Sequence, residues 1–148
     1  MRRATAPARQ GRRWLPTCGP WPTGPRSAAD RGLAARFEVA DALRLERLGE
    51  TFDTVLDGGL FHVFDDADRA RYVTSLAAVL EPGGTCYVMC FSDLQPGDWG
   101  PRRVRREEIE HAFGDGWEVV SLTPDAFTIN PIQGITTAQA WLAVIRRG

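Results

Sequence analysis

The residues of this 148-residue chain with chemistry to offer cluster at the ends of apolar runs. Phe52-Asp-Thr-Val-Leu56 is such a run, and Asp57-Gly58-Gly59 follows it, with His62 three residues on. In open α/β sheets ligands bind beyond the carboxyl ends of strands. Small residues there let a ligand approach the backbone. The ordinary pKa of histidine, about 6.5, suits a general base at neutral pH. His62 is therefore either a base or a pocket-wall residue, since no triad or metal set surrounds it. Asp57 either orients a bound amino group or serves as a turn acid at the strand end. Phe61 and Trp99 are aromatic candidates for contact with a substrate, Trp99 in a loop of the kind that carries lids. His111 falls on a solvated helix face. Cys86 and Cys90 stand four apart on a predicted strand and share a face. They read as buried thiols rather than metal ligands.

These residues need elements to hold them. Residues 27–34 read as the end of a helix, with Gly32 as its stop. Residues 37–39 make a short strand ending in Asp41-Ala42. Leu43, Leu45 and Leu48 fit a helical turn packed on a sheet. Residues 52–56 form the next strand, and 60–64 a helical turn or pocket wall. Asp65 or Asp66 caps a helix over 66–80, whose Tyr72, Val73, Leu76, Val79 and Leu80 form one stripe. Pro82 and two glycines end it. The apolar run 86–91 suits a strand covered on both faces. Residues 92–101 are a loop and 105–113 a helix. Residues 117–122 and 138–145 are two late strands, joined by a long segment with Pro124 and Pro131. With no helix between them, they predict an antiparallel hairpin closing an otherwise parallel sheet.

Composition sets the frame. The net charge of −1 points to no partner, yet its distribution is lopsided. Through residue 36 there are eight Arg and one acid; beyond it, ten Arg and eighteen acids, with no Lys anywhere. Half of the ten Pro also lie in this head. Residues 1–26 therefore read as an irregular basic stretch, with 27–148 as the folded domain. Arg2, Arg3, Arg9, Arg12, Arg13 and Trp14 would suit a nucleic-acid arm, but a solvated tail is favoured. Nothing resembles a signal peptide or a membrane span, so the expected setting is the cytoplasm.

The order of these motifs resembles a class I S-adenosylmethionine-dependent methyltransferase over about residues 27–147. Ala40-Asp41-Ala42 resembles the acid-plus-small pair that ends the family's third strand and meets the adenine. Phe52–Asp57 resembles its fourth strand, and Leu80-Glu-Pro-Gly-Gly84 its turn into the fifth. The last two strands resemble its sixth and seventh. Asp57-Gly-Gly-Leu-Phe-His62, with Phe91–Asp98, is most similar to small-molecule members of the thiopurine-methyltransferase-like kind. The resemblance implies a Rossmann-like α/β sheet and S-adenosylmethionine as cofactor, contacted by Asp41, Ala42, Asp57 and Gly58. It implies a small-molecule methyl acceptor met by Phe61, His62 and Trp99. Methyl transfer is an in-line displacement that depends on positioning, and a base helps only where the acceptor must lose a proton.

One family motif is missing: the acid and Gly-x-Gly loop after the first strand, since no Gly-x-Gly precedes Asp41. A nicotinamide-dinucleotide domain would need the same loop. One βαβ unit takes about 30 residues or more, so two βα units do not fit into 1–26. The expectation is an N-terminally truncated fold with impaired cofactor binding, its head a shifted reading of the coding region. The family's strand order runs three, two, one, four, five, seven, six. Without one and two, strand 37–39 is expected to lack a neighbour and strand 52–56 to be an exposed edge. The alternative function is a non-catalytic remnant that associates through that edge.

Overall fold

A computed structural model describes residues 12–14, 23–132 and 134–148. Arg2, Arg3 and Arg9 of the expected basic arm lie outside the described residues. Two compact units divide the chain between Asp41 and Ala42.

The first unit holds β1 (Arg12–Trp14), α1 (Thr23–Asp30) and β2 (Ala35–Phe37). The helix stops where expected, with Gly32 at φ +63°, a conformation that favours glycine. Two expectations fail. Residues 12–14 are a strand rather than irregular chain, and β2 has a neighbour, because it pairs with β1 in parallel (Arg12 with Ala35, Trp14 with Phe37). Parallel pairing needs a crossover, and α1 supplies it. Strand β2 also sits two residues earlier than predicted, leaving Val39 exposed beyond it.

The second unit is built on a sheet of four strands in the order β3-β4-β6-β5: β3 (Phe52–Gly58), β4 (Leu80–Phe91), β6 (Ile135–Arg147) and β5 (Trp117–Ile132). Strand β3 pairs with β4 in parallel, and the other two contacts are antiparallel. This is the family's order four, five, seven, six, with the predicted closing hairpin. The hairpin is longer than predicted. Pro124 and Pro131 lie inside β5, where a loop was expected, because β5 is an edge strand and an edge does not need every N–H. Past the pairing of Phe91 with Ala140, the two hairpin strands continue beyond the end of β4.

Helix α2 (Asp66–Val79) crosses between β3 and β4. Asp65 caps it, its carboxylate accepting from the Asp68 N–H at 2.8 Å. The stripe Tyr72, Val73, Leu76 and Val79 is buried, as its spacing predicts. A 3₁₀ turn over Ala42–Leu48 lies against α2, with Leu45 buried and its N–H donated to Ser75 Oγ. Helix α3 (Arg106–Ala112) buries Ile109. Strand β4 alternates, contrary to the two-sided burial predicted. Cys86, Val88 and Cys90 are buried under the helices, whereas Tyr87 on the opposite face is 37% exposed. Leu56 and Val120 are also exposed on the sheet.

Candidate functional site

The parallel strands β3 and β4 end side by side, Gly58 opposite Met89, and the residues that follow them build the site. Asp57 is the last inward-facing residue of β3 and is 5% exposed. Its carboxylate accepts from the N–H of Leu60 at 2.6 Å, the N–H of Phe61 at 3.0 Å and the hydroxyl of Tyr72 at 3.1 Å. It thereby folds Phe61–Val63 into a 3₁₀ turn directly after the strand. Burial pushes its pKa up to about 6 against the opposing pull of those hydrogen bonds. Of its two expected roles, this geometry performs the turn-building one.

The turn throws two aromatic side chains in opposite directions. Phe61 is fully buried, stacked on Phe113 at 5.8 Å between ring centres and covered by the Arg69 guanidinium at 4.8 Å. It is a core residue, which corrects its expected contact with substrate. His62 turns towards the strand ends. Its Nδ1 accepts from the Phe91 N–H at 3.0 Å, and its ring meets Phe91 and Phe127 edge-on at 5.2 and 6.2 Å. Phe91 in turn contacts Trp99 at 6.0 Å and Phe127 at 5.7 Å. Phe127 belongs to the part of β5 that outreaches β4.

Burial is the main cause that lowers the His62 pKa to about 4, with the Arg69 charge adding to it. The ring is thus neutral at pH 7. With Nδ1 accepting, the ring proton sits on Nε2. His62 presents a donor and has no free lone pair, so it does not fit the base role.

Two glycines stand at the strand end. A Cβ on Gly58 would meet nothing within 4 Å. Gly59 has φ +103°, and a Cβ there would lie 3.3 Å from His62 Cε1 and 3.9 Å from Phe127 Cζ. Its conformation and the close ring together call for glycine.

Trp99 is held by a tightly tied loop, residues 92–104. The Arg103 guanidinium donates to the carbonyls of Trp99, Pro101, Gln95 and Gly97. It also lies over the rings of Phe91 and Trp99, at 5.3 and 5.6 Å. Gln95 Oε1 accepts from the Gln139 N–H at 2.6 Å, and Trp141 Nε1 donates to the carbonyl of Val104 and to Asp93. Behind the site Arg69, with a 4% exposed side chain, pairs with Glu108 at 2.9 Å, and Arg102 also bonds Glu108. Against its partial burial, the Arg105 N–H at 2.9 Å and then these two arginines hold the Glu108 carboxyl down at about 2.

The structure therefore brings together His62, Trp99, Gly58 and the base of Asp57. Asp41 ends the first unit and Ala42 begins the second. Sequence reasoning missed Gly59, Phe91, Phe127 and Arg103. Only Gly59 carried a local signal, as the second glycine at a strand end. Cys86 and Cys90 are buried as expected, and burial raises the Cys90 thiol to about 12 and the Cys86 thiol higher still. Among the described residues no group of His, Cys, Asp and Glu could hold a metal ion.

The methyltransferase-domain family model matches residues 23–84. A solved structure concerned with the conversion of a disulfide bond into a thioacetal group during echinomycin biosynthesis is 28% identical, with a TM-score of 0.72. The match covers 85% of this chain and 62% of that one. An S-adenosylmethionine-dependent methyltransferase from Clostridium acetobutylicum is 12% identical with a TM-score of 0.71, over 94% of this chain and 76% of the other. One from Methanosarcina mazei is 14% identical with a TM-score of 0.62, over 76% and 67%. The chain thus spans less than two thirds of the 28% identical protein. Residues 23–84 thus match a methyltransferase domain, and the sheet order and these structures give the chain the Rossmann-like fold of class I S-adenosylmethionine-dependent methyltransferases, whose cofactor is S-adenosylmethionine.

Proposed function

We propose that the chain takes part in methyl transfer from S-adenosylmethionine to a small-molecule acceptor in the cytoplasm. The observation that carries this is the strand end open at Gly58, with Gly59 packed against the cluster of His62, Phe91, Trp99 and Phe127. Bound there, the cofactor would supply an electrophilic methyl group. Asp41 and Ala42 would meet its adenine, and Gly58 would let it approach the backbone. Asp57 acts one step removed, by shaping the turn that carries His62. The rings line the acceptor side and exclude water.

The fit to the cofactor is partial. The aromatic cluster supports an acceptor side, whereas no Gly-x-Gly precedes Asp41 to wrap the rest of the ligand. We propose that binding is correspondingly weak. Transfer of a radiolabelled methyl group to a panel of small thiols, thioethers and heterocycles tests the activity. Label on none of them, with the cofactor bound, would count against it.

A second reading has its own support. Strand β3 is an edge of the four-stranded sheet, with Leu56 57% exposed and Tyr87 exposed on the same face of the neighbouring strand. Apolar edges of this kind invite association. Self-association through β3 would be seen by light scattering, and Leu56→Lys should abolish it. A monomer at all concentrations would remove this reading.

A further inference from the structure

We infer that Tyr72, buried on α2, is a positioning residue of the site: its hydroxyl holds the Asp57 carboxylate as the acceptor on which the turn carrying His62 is built. The inference deepens the methyl-transfer reading and rests on it for what that turn serves.

The stripe of Val73, Leu76 and Val79 asks only for an apolar ring at position 72. The hydroxyl is a buried polar group, which costs free energy unless it is paired. Its partner is Asp57 Oδ2, at 3.1 Å. The same oxygen accepts from the Phe61 N–H at 3.0 Å, while Oδ1 accepts from the Leu60 N–H at 2.6 Å. The Tyr72 ring also lies against Phe64, with 5.1 Å between ring centres, just past the other end of the turn. One side chain of α2 thus holds the turn Phe61–Val63 from both ends. What hangs on the turn is His62. Its Nδ1 accepts from the Phe91 N–H at the end of β4, and its ring stands against Gly59. A turn that shifts carries the ring away from both.

The carboxylate grips both amides only while it is ionised, when each oxygen is an acceptor. Once protonated, one oxygen becomes an O–H donor, and the amide on that oxygen loses its partner. Tyr72 opposes this, because a donor to the charged form favours that form. It keeps its own proton, since burial and then the Asp57 charge raise its pKa well above the ordinary value. The groups that feel Asp57 from other elements are Tyr72 on α2 and Cys86 and Cys90 on β4, both buried thiols raised far above pH 7. Beyond them, Arg69 on α2 and Glu108 on α3 act on Cys90, and Arg69 acts on His62. Of all these, Tyr72 is the side chain that donates to the carboxylate.

The test follows the Leu60 and Phe61 amide signals of the full chain, without cofactor, as pH is raised from about 4.5 to about 8.5. In wild type they should move together with a midpoint at about 6. Tyr72→Phe keeps the ring and should raise that midpoint by about one pH unit, the effect of one hydrogen bond to a carboxylate. At pH 7 the Phe91 amide should exchange about tenfold faster in the variant, while Cys86 and Val88 of the same strand stay unchanged. Phe64→Leu loosens the same ring contact but keeps the hydroxyl, and should leave the midpoint in place. An unmoved midpoint in Tyr72→Phe, an equal rise in Phe64→Leu, faster exchange throughout β4 or a Tyr72→Phe chain that does not fold each overturn the inference. The pH profile of radiolabelled methyl transfer gives the functional readout. Transfer should fall away below about pH 6 in wild type and about one unit higher in Tyr72→Phe. Coinciding profiles overturn the positioning role. Transfer by neither protein at any pH removes the methyl-transfer reading instead, and the amide signals alone then decide the role of Tyr72.

Discussion

Replacing Asp57 by Asn should change how stability depends on pH, because burial raises the Asp57 pKa. The Asp57 carboxyl titrates near 6 when folded, against an ordinary value of 3.8. Below 3.8 both folded and unfolded chains carry the proton, and the group contributes no penalty. As pH rises, the unfolded chain ionises first while the folded one still binds its proton. Stability therefore falls with pH across this window. At about 1.4 kcal/mol per pKa unit, the loss is about 3 kcal/mol, complete somewhat above pH 6. His62 works the other way. Its folded pKa of about 4 lies below the ordinary 6.5, so its contribution is present above 6.5 and is lost as pH falls towards 4. Allowing for solvent, that is on the order of 2 kcal/mol. The two nearly cancel, and the wild-type profile should look flat between pH 4 and 6.5. Asp57→Asn removes one of them. Urea unfolding of both proteins from pH 4 to 7 should show the variant gaining about 3 kcal/mol relative to wild type across that range. Taking the difference cancels the contribution of Glu108. A difference that stays constant with pH would refute the argument that burial dominates at Asp57.

Other outcomes follow from the same contacts. Gly59→Ala should cost about 1–3 kcal/mol, because it forces a side chain into φ +103° against the His62 ring; thermal unfolding measures it. Arg69→Ala should cost about 3–5 kcal/mol, because it leaves Glu108 without its buried partner and uncovers Phe61; denaturant unfolding measures that. Arg103→Ala should release the loop over 95–101, seen as faster amide exchange there, while exchange in β4 and β6 stays slow.

The sequence showed the elements more clearly than their edges. The α2 stripe and the Asp65 cap are local patterns, and both were readable. Strand β5 was cut short because Pro124 and Pro131 normally exclude a strand, and only the sheet order reveals that β5 is an edge. Strand β1 was missed because three residues, Arg12–Trp14, carry no periodicity, and their pairing with Ala35–Phe37 is non-local. At the site, Asp57 and His62 were visible as types, but not their partners. The Phe91 N–H that decides the His62 tautomer lies 29 residues away, and Phe127 joins the cluster only because the hairpin outreaches β4. Phe61 and His62 are neighbours in sequence that face opposite ways, which only the geometry of the 3₁₀ turn determines.

Calorimetric titration of the full chain with S-adenosylmethionine tests the central claim most directly. A strand-end site without a glycine-rich cradle should bind saturably but weakly, with a Kd above about 0.1 mM, and S-adenosylhomocysteine should compete. No binding at millimolar cofactor would contradict the methyl-transfer reading, and a Kd of about 1 μM would contradict the incomplete cradle.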